Sequence, residues 1–227
     1  MKKIGIVGGI SSASTIHYYR TLHDLYYKKY QNYYYPEMVI DSLNFQYFTD
    51  LENQNKMDEY RHYIISSFRH LERCGADFAI MAANSPHSIL EDIRSDVQIP
   101  VLSIVDAIGK RAKKLGHKKL LLTGIGYTMR SSFYQEGLLK YGIQIIVPTT
   151  EEQELINQII FSELVINLIS ESSQKAFLRI ISSYPVDGVI LGCTELPQLL
   201  SQSDTNISLL NSLEIHCEET LKYACAQ

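Results

Sequence analysis

What the chain has little of narrows its chemistry before any motif is read. It has only four cysteines, Cys74, Cys193, Cys217 and Cys225, and none shows C-x-x-C spacing. So few thiols in 227 residues argue against a disulfide framework and against a zinc site, and reduced thiols are expected. No histidine and carboxylate pair has ligand spacing, so no metal is expected. Glycine and proline are modest at 12 and 6, which leaves no bias toward disorder. No apolar run approaches the roughly 18 residues of a membrane helix. There is no excess of positive charge either. The net charge is −4, and lysines occur in short pairs such as Lys2-Lys3 and Lys118-Lys119, so there is no footprint for nucleic acid. The opening Met-Lys-Lys-Ile runs straight into strand sequence without a cleavage-site pattern, and a cytoplasmic protein is expected.

What is present is the pattern of an α/β protein. Val186-Asp187-Gly188-Val189-Ile190-Leu191-Gly192 is an apolar, β-branched run stopped by glycine, as an interior strand of a parallel sheet should be. It delivers Cys193, Thr194 and Glu195 at its carboxyl end, where open α/β sheets meet their ligands. On this segment alone Cys193 is balanced between a buried structural thiol and a chemical one. Ile4 to Val7 followed by Gly8-Gly9-Ile10-Ser11-Ser12 reads as strand, glycine turn and helix start, with Ser12 or Ser14 as the cap. This is no G-x-G-x-x-G fingerprint, but a glycine turn entering a helix can meet an anion.

Further elements follow in alternation. A helix is predicted from Ala13 to Tyr30, its Ile16, Tyr19, Leu22 and Tyr26 forming a core or dimer face. A strand follows at Met38 to Leu43, polar loop from Asp50 to Asn55, and an amphipathic helix from Met57 to Leu71 closed by Gly75. The strand Asp77 to Ala82 leads into Ala83-Asn84-Ser85-Pro86-His87, and another strand is predicted at Val101 to Val105 before a helix from Asp106 to Leu115. Beyond it come helices over Phe133 to Tyr141, Glu151 to Ile169, Gln174 to Tyr184 and Ser212 to Tyr223, and a short strand at Ile143 to Val147.

The sequence repeats itself. Lys118-Lys119-Leu120-Leu121-Leu122-Thr123-Gly124 has the layout of Lys2 to Gly8 at an offset of 116 (118 − 2), and Asp187 to Glu195 that of Asp77 to Ser85 at 110 (187 − 77). Two near-equal offsets predict two similar doubly wound parallel-sheet domains related by a pseudo-twofold axis, with the active site in the cleft between them. The boundaries fall near residues 98 and 205, giving 1–98 plus 206–227 and 99–205. Equivalent positions then oppose one another: Cys193 faces Ala83, Thr194 faces Asn84 and Glu195 faces Ser85. The turn from Thr123 to Met129 lines the same cleft, with Tyr127 and Thr128 offering hydroxyls and amides to a carboxylate substrate.

These residues resemble the aspartate/glutamate racemase superfamily of cofactor-independent amino-acid racemases, over nearly the whole chain. The likeness is carried by Gly5-Ile6-Val7-Gly8-Gly9, by Ala83-Asn84-Ser85-Pro86-His87 against the family's C-N-T-x-H, by the Thr128 turn and by Gly192-Cys193-Thr194-Glu195. It looks closest to the broad-specificity branch. The resemblance implies a homodimer without cofactor and two opposed cysteines that exchange the Cα proton of a small amino acid. It also implies substrate contacts from Ile10, Ser11, Asn84, Ser85, Tyr127, Thr128, Thr194 and Glu195.

The departure is Ala83, which stands where the family's first catalytic cysteine stands and has no proton to give. The chain is either a natural one-thiol member or carries an introduced Cys→Ala change. The basic residues that aspartate racemases use for the second carboxylate are matched here by Asn44-Phe45-Gln46 and Leu164-Val165, which points to a neutral or polar substrate. A one-cysteine decarboxylase or isomerase and a silent amino-acid-binding protein stand as alternatives. Glu195 is expected to hold the substrate ammonium or to cap the following helix, because pointed at the sulfur it would oppose the thiolate. His87 and His216 are expected to support the site from behind, and Cys74, Cys217 and Cys225 to be structural parts of helices.

Overall fold

The computed structural model of the chain describes residues 1–226. They form two compact units, 1–103 with 216–226, and Ile104–Ile215. Among the described residues no helix is long and apolar enough to cross a membrane.

In the first unit the strands β1 (Ile4–Gly8), β2 (Met38–Ser42) and β3 (Phe78–Met81) form a parallel sheet in the order β2-β1-β3. Ile4 lies beside both Met38 and Phe78. β1 and β3 are buried along their whole length, because helices cover both faces and no alternate position can be polar. Val7, Ala79 and Met81 face a cluster supplied by helix Met57–Arg73, whose Tyr60, Ile64, Phe68 and Leu71 recur at helical spacing. Burying each of these large side chains contributes roughly 1.5–3 kcal/mol. Helix Ser12–Tyr30 buries Leu22 and Tyr26 of the expected face together with Tyr18, and leaves Ile16 66% and Tyr19 47% exposed. Its cap is Ser11, whose Oγ accepts from Ser14 N at 3.3 Å, and not Ser12 or Ser14.

The glycine turn before that helix is a backbone requirement. Gly9 has φ +80°, and a Cβ there would meet the Leu43 carbonyl oxygen at 2.3 Å.

In the second unit β4 (Lys119–Gly124), β5 (Gln144–Ile146), β6 (Gly188–Gly192) and β7 (Ser208–Asn211) form a parallel sheet ordered β5-β4-β6-β7. Leu121, Val189 and Leu191 pack on one face and Leu120, Leu122, Ile190 and Leu210 on the other. The first three strands repeat the order of the first unit, and so does a side-chain device. The Asp77 carboxylate accepts from Lys3 N at 2.6 Å, and Asp187 accepts from Lys118 N and Lys119 N at 2.7 and 2.8 Å. Each aspartate ties the start of its unit's third strand to the first.

Several local expectations give way to packing. Of the stretch read as polar loop, Asp50 to Asn53 belong to helix Phe45–Asn53, capped by Asn44 Oδ1 accepting from Tyr47 N at 3.1 Å and anchored by buried Phe48 and Leu51, while Gln54 and Asn55 follow its end. The strand expected at Val101 to Val105 shrinks to one bridge between Ala79 and Val101, after which helix Ile104–Leu115 begins. The long helix from Glu151 ends at Ser162, because Glu163 leaves helical geometry and Asn167 adopts the left-handed conformation. β7 escaped notice as a four-residue edge strand. It pairs with β6 and carries the second unit on to Ile215; the first unit runs to Ser103, and both limits fall later than those read from the sequence. Cys217 is buried in helix Ser212–Ala224, whereas Cys74 and Cys225 lie just beyond helix ends, Cys74 exposed.

Candidate active site

The strand ends position two groups of residues, one in each unit. At the end of β6, Gly192 brings the chain close to β4, since a Cβ there would lie 2.6 Å from the Thr123 carbonyl oxygen. Cys193 follows, partly buried. Its thiol donates to Glu195 Oε2 at 2.8 Å, and the Thr194 hydroxyl donates to the same oxygen at 2.7 Å. Glu195 therefore points at the sulfur, the orientation the sequence reading set aside. It makes no side-chain cap bond, and the helix it precedes, Leu196–Leu199, is a single turn.

Burial pushes the Cys193 thiol well above the usual range, and the Glu195 charge and hydrogen bond add to this. Backbone N–H groups of Glu195 and Thr194 at the sulfur pull the other way and are outweighed. At neutral pH Cys193 is thus a protonated thiol held on a carboxylate, ready to donate a proton and able to hand one to Glu195. Glu195→Gln removes the charge, so alkylation of Cys193 by iodoacetamide at pH 8, followed by peptide mass mapping, should accelerate on the order of tenfold. An unchanged rate would mean that burial alone holds the thiol.

Thr128 lies beside this turn, in helix Gly126–Arg130. It is fully buried, and its Oγ1 meets no hydrogen-bond partner among the described residues. A buried hydroxyl without a partner is costly unless a ligand completes it. Tyr127 is half-buried on the same helix. Two neighbours were missed in the sequence. Asn157 Oδ1 accepts from Gly126 N at 2.7 Å, and the guanidinium of Arg130 folds over Gly126. Asn157 lies in helix Thr150–Ser162, about thirty residues from Gly126, a separation at which no sequence period signals contact.

In the first unit, Ala83, Asn84, Ser85 and His87 are all buried at the end of β3. His87 Nδ1 lies 3.0 Å from the Ala83 carbonyl oxygen, and its N–H fixes that backbone. The His216 ring stands edge-on to it, centroids 5.8 Å apart, with Nε2 3.1 Å from the Leu102 carbonyl and Nδ1 3.0 Å from the Tyr18 hydroxyl. Donation to Leu102 and acceptance from Tyr18 assign the neutral tautomer to His216. Burial lowers His87 to about 3, helped by His216, and lowers His216 to about 4. Both rings are uncharged at neutral pH and act as braces.

The Ser85 hydroxyl is hydrogen-bonded to the Glu52 carboxyl, a residue the sequence reading left in a loop. Ile10 packs into the core and Ser11 serves as the helix cap, so these two have structural duties in this fold. Among the described residues no group of histidine, cysteine, aspartate and glutamate side chains could hold a metal ion.

Comparison with known proteins defines the class. Residues 7–220 match the family model described as Asp/Glu/Hydantoin racemase, and the chain belongs to that family. It is similar to the broad specificity amino-acid racemase RacX of Bacillus subtilis, 28% identical over 217 residues and covering 92% of each chain. It is also similar to a glutamate racemase of Lysinibacillus sphaericus, 25% identical over 177 residues, covering 73% of this chain and 63% of the other. Among solved structures, an aspartate racemase homologue from Pyrococcus horikoshii OT3 superposes with a TM-score of 0.90 at 36% identity, each chain covered completely.

Proposed function

We propose that this amino-acid racemase moves the Cα proton of a small amino acid through Cys193, without a cofactor, and from one face far better than from the other. The observation that carries the reading is the Cys193 thiol seated on Glu195 at 2.8 Å, while the equivalent strand end of the first unit presents Ala83. In the donating direction the S–H bond breaks and its proton goes to the Cα carbanion. In the abstracting direction Glu195 first takes the thiol proton, and the thiolate then takes the proton from Cα.

The Cα–H bond is a very weak acid, so the developing negative charge on the substrate carboxylate needs donors already in place. Thr128, whose hydroxyl meets no partner among the described residues, is the strongest candidate. Asn84, Tyr127 and Thr194 are assigned to the same substrate. A cytoplasmic homodimer belongs to this reading, the dimer supported by the exposed apolar side chains of Ile16 and Tyr19.

The test is incubation with a panel of L- and D-amino acids in deuterium oxide, following loss of the Cα–H signal by NMR. We expect exchange with one enantiomer to exceed exchange with the other by on the order of a hundredfold. No exchange with any amino acid would sink the proposal. One observation favours a second reading: a thiol held protonated on a carboxylate suits reprotonation of a carbanion left by decarboxylation. Carbon dioxide release from a substituted malonate, without exchange on amino acids, would establish it.

A further inference from the structure

The first unit carries a carboxyl group that the reaction above does not use. Glu52 belongs to helix Phe45–Asn53 and is partly buried. Its Oε1 accepts from the Tyr60 hydroxyl at 3.3 Å, and the Ser85 hydroxyl also bonds to its carboxyl. Ser85 corresponds to Glu195 at the repeat offset of 110 (195 − 85). Each unit therefore sets a carboxylate at the turn after its third strand. In the second unit the turn itself supplies it, and in the first a neighbouring helix reaches in.

The other titratable groups at this strand end do not offset the Glu52 charge. His87 and His216 are neutral at pH 7, and Arg94 is engaged by Glu91 at 2.7 Å. Tyr60, which faces Glu52 from helix Met57–Arg73, is an uncharged donor. The turn that holds Asn84 and Ser85 therefore has a carboxyl group set beside it.

We propose that Glu52 is a specificity-determining residue, whose carboxylate beside Ser85 turns away substrates with a second carboxylate and favours those with neutral or cationic side chains. The proposal rests on the reading that an amino acid binds at this turn. A like charge brought against a partly buried carboxylate is disfavoured, whereas an amide or an ammonium is accepted by the same oxygens. Burial raises the Glu52 carboxyl from its ordinary value, and the two hydroxyls that donate to it oppose that rise without cancelling it.

The experiment compares wild type, Glu52→Gln and Glu52→Asp with three probes, L-glutamine, L-glutamate and L-lysine. Two readouts are taken: the initial rate of Cα–H exchange in deuterium oxide, and the shift of melting temperature at a fixed probe concentration, which needs no turnover. In the wild type, glutamine and lysine should outperform glutamate by tenfold or more in rate and give larger thermal shifts. In Glu52→Gln the gap between glutamine and glutamate should close and lysine should fall behind glutamine, while Glu52→Asp should keep the wild-type order. A wild type that prefers glutamate, a Glu52→Gln protein with an unchanged order, or a wild type stabilised by none of the three would overturn the proposal. The wild-type order of thermal shifts without any exchange would uphold it and overturn the racemisation chemistry instead.

Discussion

Cys193→Ala should abolish Cα proton exchange, lowering the rate by about a thousandfold or more, with the fold intact. Removing the group that transfers the proton costs typically 10²–10⁴-fold, and no other cysteine lies on the turns after β3 and β6 to stand in, Cys74, Cys217 and Cys225 being placed at helix ends or within a helix. The substitution is structurally mild. Cys193 is only partly buried, and the Thr194 hydroxyl remains on Glu195 Oε2 at 2.7 Å, so the carboxylate keeps a donor. Circular dichroism and thermal melting of the variant should match wild type closely. Exchange persisting at more than a tenth of the wild-type rate in a folded variant would show that the proton passes elsewhere, with Glu195 the first group to examine.

Ala83→Cys should have the opposite effect, raising exchange on the poorly used enantiomer by about a hundredfold and producing full racemisation from either one. The expected gain is that of one positioned acid–base group. The backbone that would carry the sulfur is held in place. Ala83 is 9% exposed, and its carbonyl is already held by His87 Nδ1 at 3.0 Å, so the Cβ direction is fixed by the backbone. Polarimetry or chiral chromatography of the product reads the outcome directly. A folded Ala83→Cys protein that exchanges no faster would mean that position 83 does not face the substrate, and the one-sided mechanism would lose its explanation.

The path from sequence to site differs between the two units. At Cys193 the strand, the glycine and the thiol are consecutive, so an apolar run ending in Gly192 was enough to place the sulfur at the carboxyl end of an interior strand. The repeat was legible for the same reason: Asp77 and Asp187 stand at near-constant distance from the lysine pairs whose backbone they hold. Glu52 shows the opposite case. Its helix has weak local signals and is settled by Phe48 and Leu51 entering the core, and its partner Ser85 lies 33 residues away (85 − 52). The break after Ser162 likewise follows from Glu163 and Asn167 leaving helical geometry, in a stretch whose composition reads as continuous helix.

By itself the sequence determined the alternation of strands and helices, the duplication, and which residues stand at the two strand ends, because these follow from period, glycine turns and chain neighbours. Only the tertiary structure decided what those residues are chemically. Whether Cys193 is a thiol or a thiolate, whether His87 and His216 carry charge, and whether Thr128 has a partner depend on burial and on side chains brought from distant parts of the chain. Desolvation and a neighbouring charge act through space, and a linear spacing records neither.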